Sequence, residues 1–164
     1  MCILCLQVIV DSGTNVLLQR HQNFVKITDA LVQQMCTPPN VFSGPGVCDG
    51  GSFFNQVCYP YTSQQISEFP PISLVMNNAT LVMEGEDYVV ENGTSGSYCF
   101  GVKDTGDFGL DIIGDVVMQN YYVSFDNANR VLGWAPVNKD NCMKVKNSLT
   151  TPTRTHWREV AAHL

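Results

Sequence analysis

The sequence predicts a mostly β protein built as one domain, and three observations predict it. Thirteen Gly and eight Pro are spread along the 164 residues as turn punctuation. Between them lie short β-branched and aromatic runs at hairpin spacing. Hydrophobic content of 45% against 15% charged supplies a core and excludes a disordered chain. The length suffices for one hydrophobic core and falls short of two ordinary domains. No apolar stretch approaches the ~18 residues needed to cross a bilayer. With 15 acidic and 9 basic residues, a net charge of −6 and a pI of 4.8, the chain is not expected to bind nucleic acid.

In chain order, Val8-Ile9-Val10 reads as a buried strand that stops at the polar quartet Asp11-Ser12-Gly13-Thr14. Val16-Leu17-Leu18 follows as another apolar segment. Phe24, Ile27, Leu31 and Met35 then fall on one helical face, so residues 23–36 are expected to form an amphipathic helix, ended by Pro38-Pro39. Residues 40–57, rich in Gly, Ser, Asn and Pro, read as an exposed loop. A meander of short strands is expected over 69–76, 80–83 and 88–90, and another strand over 97–102. Leu110-Asp111-Ile112-Ile113-Gly114-Asp115 precedes a helical turn through Gln119, and strands at 121–125 and 131–135 close the pattern. No internal repeat is visible.

The charge divides unevenly. Residues 1–138 hold four basic residues against thirteen acidic, a charge of −9, whereas 139–164 hold five against two, a charge of +3. The latter stretch reads as a basic extension that includes a short helix. A helix there would place His156, Glu159 and His163 near one face, but two histidines seven apart are too distant to share one ion, so no metal is expected.

Seven cysteines (2, 5, 36, 48, 58, 99 and 142), most of them widely spaced, read as a disulfide framework from an oxidising compartment. The triplets Asn78-Ala79-Thr80 and Asn92-Gly93-Thr94 are N-glycosylation acceptors and point the same way. Residues 1–10 lack a basic n-region and a small-residue cleavage site, so a secretory, lysosomal, vacuolar or extracellular location implies that the chain is part of something longer. Cys36 and Cys48 flank the loop after the helix and are expected to pair. Cys142 could pair with Cys2 or Cys5, while Cys2-x-x-Cys5 alone is a weak zinc or redox signal.

One carboxylate stands out. Asp11 ends an apolar strand, and the Gly13 N–H and Thr14 hydroxyl are placed to hold it ionised and oriented. A loop aspartate capping its own turn is the plainer account of an isolated Asp-Ser-Gly. A matching element, Ile112-Ile113-Gly114, lies about a hundred residues later. Val10-Asp11-Ser12-Gly13-Thr14 with Val16-Leu17-Leu18 resembles the second active-site motif of pepsin-like aspartic proteases. Ile112-Ile113-Gly114-Asp115 with the strand at 120–126, and Arg130-Val131-Leu132-Gly133-Trp134-Ala135-Pro136, are similar to that family's hydrophobic-hydrophobic-Gly segment and closing strand. The match runs in order from about residue 9 to 137. Phe69-Pro70-Pro71-Ile72-Ser73-Leu74 is closer in flavour to the β-secretase branch.

The resemblance implies a single lobe of the bilobal pepsin-like β-barrel fold, incomplete at its N-terminal edge, with one or two short helices. It implies peptide-bond hydrolysis by a water held between two aspartates, with no cofactor and no metal. Asp11 would be the second lobe's catalytic carboxylate. Thr14 would bond its outer oxygen, Gly13 belongs to the same catalytic motif, and Ser12 would cross-link the two active-site loops. Ile9, Asn15 and Ile112 would line substrate subsites, and Cys58 and Cys99 occupy the positions of a disulfide shared widely in this lobe. Asp104-Thr105-Gly106 is not the missing first motif: Lys103 precedes it where an apolar residue is needed, so it reads as a hairpin turn. The implied partners are a peptide or protein substrate and a first lobe, supplied in cis or in trans. Two alternatives remain: a homodimer pairing two copies of Asp11 as retroviral proteases do, or a non-catalytic lobe acting as an interaction module.

Overall fold

A computed structural model describes residues 2–4, 8–39, 41–76, 79–93, 95–107, 109–138 and 160–163. Among these residues strands dominate, arranged in four small sheets. Parallel β2 (Val8–Val10) and β9 (Asp111–Ile113) lie beside β3 (Leu17–Gln19) and β8 (Val102–Asp104), in the order β2-β9-β3-β8. β9 runs parallel to β2 and antiparallel to β3, so one central strand bridges the chain before and after the Asp11 loop. β4 (Ile72–Met76) and β5 (Ala79–Met83) form a hairpin that β1 (Cys2–Leu4) joins in parallel along β4. β6 (Val89–Glu91) pairs with β7 (Tyr98–Phe100), and β10 (Tyr121–Asp126) with β11 (Val131–Pro136).

The helical periodicity is realised as α1, His21–Met35, which buries Asn23, Ile27, Leu31 and Met35 at every fourth position. Three shorter helices, α2 (Ser63–Ser67), α3 (Gly85–Tyr88) and α4 (Asp115–Met118), turn the chain between strands. Thr62 caps α2 through a reciprocal box with Gln65, satisfying donors that a five-residue helix would otherwise leave open.

Three expectations change. The segment read as an exposed loop is not one over its described residues 41–57, because Phe42, Val47, Phe53 and Phe54 are buried. Phe53 packs its ring within 5.2–5.8 Å of Phe54, Tyr61, Phe69 and Phe100, and the turn Ser52–Asn55 aims Phe53 and Phe54 inward. The Gly, Ser and Pro content describes the backbone; four apolar side chains decide where the segment lies. The strand expected at 88–90 begins only at Val89, since Tyr88 ends α3 and is buried with its hydroxyl donating to the Pro70 carbonyl. In the basic extension, residues 139–159 and 164 lie outside the described residues, His156 and Glu159 among them; Val160–His163, expected as helix, form β12, antiparallel to β11. The open ladder of β11 offers backbone partners that local helix propensity cannot match.

Candidate active site

β2 delivers Asp11 to the loop between β2 and β3. Its backbone N–H donates to the Ile113 carbonyl (3.0 Å), and Asp115 N–H donates to the Thr14 carbonyl (2.7 Å), so both ends of the loop rest on the chain around Gly114. Gly114 is required there: a Cβ would stand 2.8 Å from the Thr14 carbonyl carbon and closer still to the Thr14 and Val16 oxygens.

The Asp11 carboxylate is held on both oxygens. Oδ1 accepts the Gly13 N–H (2.9 Å) and Oδ2 the Thr14 hydroxyl (2.8 Å). The Gly13 bond first, then the Thr14 bond, holds its carboxyl below the usual carboxylate range, against a weaker opposing effect of desolvation. The group is ionised, oriented and open to solvent, a condition in which it accepts a proton or positions a water.

Ser12 and Asn15 are exposed on the same loop. Ile9 and Ile112 are cross-strand partners. Ile9 is 46% exposed while Ile113, one residue along β9, is fully buried. Strand alternation therefore puts Ile9 and Ile112 on the outer face just before Asp11, and Ile113 in the core. The structure thus brings Ile9, Asp11, Ser12, Gly13, Thr14, Asn15 and Ile112 into one neighbourhood.

Asp104-Thr105-Gly106 is a turn at the end of β8, at the opposite edge of the sheet from β2. Asp104 Oδ1 accepts the Gly106 N–H (2.7 Å), and its Oδ2 meets His21 Nδ1 (2.7 Å). That pairing raises the His21 pKa above its ordinary value and lowers that of Asp104.

Among the described residues there are two disulfides, Cys36–Cys48 and Cys58–Cys99. The first ties the buried segment after α1 to the end of that helix. The second joins β7 to the chain beside Tyr59, which exchanges backbone hydrogen bonds with Tyr98. Cys5, Cys142 and Asn78 lie outside the described residues. Asn92 is exposed in the turn after β6, beside Gly93 at φ 59°.

The sequence reading missed one cluster. Asp111, fully buried, accepts hydrogen bonds from Arg20 N (2.8 Å), Nε (3.1 Å) and Nη2 (2.8 Å) and from Asn23 Nδ2 (3.2 Å). A polar Asn23 four residues before Ile27, on the apolar stripe of α1, was the available signal. An aspartate before Ile112-Ile113 gives no local hint that its partner lies 91 residues earlier.

Against known sequences, the family profile of the eukaryotic aspartyl proteases matches residues 1–137. The chain belongs to the eukaryotic aspartyl protease family, and its fold is a single lobe of the pepsin-like architecture. It is 27% identical over 130 residues to Protein ASPARTIC PROTEASE IN GUARD CELL 2 of Arabidopsis thaliana, covering 79% of this chain and 26% of that protein. Aspartic proteinase 36 of the same plant is 33% identical over 96 residues, 55% of this chain and 20% of its own length. Pepsin A of Gallus gallus is 26% identical over 140 residues, 83% of this chain and 32% of its own. The chain therefore spans between a fifth and a third of the length of these relatives.

Proposed function

We propose that this chain is the half of an aspartic endopeptidase that carries the second catalytic carboxylate, Asp11, and that it is inactive until a second carboxylate is supplied. The observation that carries this reading is the Asp11 carboxylate at a solvent-open strand tip, with Gly13 on one oxygen and Thr14 on the other. Peptide hydrolysis needs two such groups. One takes the proton of the attacking water while the other donates a proton to the scissile carbonyl, giving a tetrahedral diol; a proton then passes to the leaving amine. A lone Asp11, held ionised, supplies only the base. A second carboxylate at hydrogen-bond distance would raise the pair's affinity for one proton, which favours acidic conditions.

In this reading Ser12 links the two active-site loops, and Ile9, Asn15 and Ile112 contact a peptide or protein substrate. The partner is a first lobe, in cis or in trans. Residues 1–138 form the lobe and 139–164 a basic extension. The disulfides suit an oxidising compartment, and we assign the protein to the secretory pathway with Asn78 and Asn92 as glycan acceptors. The acidic body disfavours nucleic acid as a partner.

Gel filtration combined with peptide cleavage at pH 4 tests the proposal. An inert monomer, rendered active by an added first lobe and silenced again by Asp11→Ala, is the expected result. A dimer active by itself, blocked by a statine-type inhibitor and abolished by Asp11→Ala, would instead establish pairing between two copies. A monomer that stays inert with every first lobe offered, yet retains a binding partner, would establish an interaction module.

A further inference from the structure

We infer that the Arg20–Asp111 pair is a positioning device for Asp11: it sets the register of β9, and with it the carbonyl on which the Asp11 backbone hangs. β9 is held by short ladders, three residue pairs with β2 and the single pair Leu18–Ile112 with β3. With so few ladder bonds, side chains must fix the register, as they do wherever one face of a strand is buried. A slip of one residue would move the Ile113 carbonyl by about 3.3 Å. It would also exchange buried Ile113 for Ile112 on the core face and take Gly114 away from the Thr14 carbonyl.

Asp111 opposes that slip from the first residue of β9. Its Oδ1 takes the Arg20 N–H, so the backbone where β3 passes into α1 is fixed to it. Its Oδ2 takes Nε and Nη2 of the same guanidinium and Nδ2 of Asn23, so the carboxylate cannot translate along the strand without losing directional bonds. The carboxylate is fully buried while the Arg20 side chain is 28% exposed. Such a pair is weak as a source of net stability, since desolvating the carboxylate offsets much of the attraction. Its directional bonds supply what an apolar contact cannot, one defined alignment. Lysine at position 20 would keep the charge and lose the fork.

The inference rests on reading Asp11 as the catalytic group, but its test requires no cleavage. The full chain, isotopically labelled, is compared with Asp111→Asn and Arg20→Lys by amide hydrogen exchange. Wild-type protein brought to the same global stability with urea serves as the reference. The Asp11 amide is expected to exchange at least tenfold faster in each variant than in the stability-matched reference, with Leu74 and Leu81 in the β4–β5 hairpin unchanged. His21→Ala, which removes the neighbouring exposed ion pair, should leave Asp11 exchange as it is. Equal acceleration at Asp11, Leu74 and Leu81, or none at Asp11, would overturn the inference and leave the pair a plain staple. If Asp111→Asn does not fold, Arg20→Lys gives the same decision alone. Failure of the catalytic reading shows separately, as cleavage in a reconstituted protein that survives Asp11→Ala.

Discussion

Replacing Gly114 with alanine adds one methyl group where the chain around Gly114 and the Asp11 loop touch. The glycine sits at φ −104° and ψ −166°, which any L-residue adopts, so the substitution carries no backbone strain of its own. The cost is purely steric. The new Cβ would lie 2.8 Å from the Thr14 carbonyl carbon, with the Thr14 and Val16 oxygens nearer still. All three are main-chain atoms and cannot swing aside as a side-chain tip would. Relief requires the Asp11 loop to part from β9, stretching the Asp11-to-Ile113 and Asp115-to-Thr14 bonds together. Overpacking of this kind costs about 1–3 kcal/mol, and an obstacle made of backbone belongs at the upper end. For a chain of this length that corresponds to a fall in Tm of about 6–12 °C. Thermal unfolding followed by circular dichroism measures it, with Gly133→Ala as control. There the added Cβ would meet Ser124 Cβ at 3.4 Å, an ordinary contact, and the change should stay within about 0.5 kcal/mol. A Gly114→Ala protein that melts no lower than Gly133→Ala would refute the reasoning.

Other perturbations have equally direct readouts. Thr14→Val should raise the Asp11 pKa toward its ordinary 3.8, read from the carboxyl carbon shift in an NMR titration. Because the folded-state value is depressed, the Thr14 bond contributes stability above about pH 4 that disappears as pH falls through that value, so wild type and variant converge in acid. Asp104→Asn should lower the His21 pKa by removing its partner. That pair's contribution is complete below pH 6.5 and is lost as pH rises through the raised folded-state value, so the two proteins differ most in mild acid. Replacing both Cys58 and Cys99 by alanine should lower stability by about 4 kcal/mol in urea, against about 3 kcal/mol for Cys36 and Cys48, whose loop is shorter.

The parts of this structure that follow from near-neighbour patterns were legible in advance. Phe24, Ile27, Leu31 and Met35 announced α1, and the short apolar runs at 69–76 and 80–83, at hairpin spacing, announced the β4–β5 pair. The local geometry of Asp11 was legible because both groups that hold it lie within three residues. What stayed hidden depends on residues far apart in sequence. The alignment of Val8–Val10 with Asp111–Ile113 leaves no mark in either segment. Nothing beside Asp111 in the sequence points to Arg20, and Phe53 reads as part of a loop until Tyr61, Phe69 and Phe100 surround it.

The parallel union of β2 with β9 has a kinetic corollary. Val8 and Asp111 are partners across 103 positions of chain, whereas Met76 and Ala79 of the β4–β5 hairpin are nearly adjacent. Closing the longer loop costs more entropy before any contact rewards it, and pairings of high sequence separation form late. The turn that orients the Asp11 carboxylate can therefore be present in the earliest collapsed chain while the strand that carries it is still undocked. Time-resolved exchange labelling would then report protection at Leu74 and Leu81 before protection at Asp11. Docking of the Asp11 backbone on β9 is thus expected late in folding, and a condition that stalls refolding should leave the Asp11 amide unprotected while the β4–β5 hairpin is already in place.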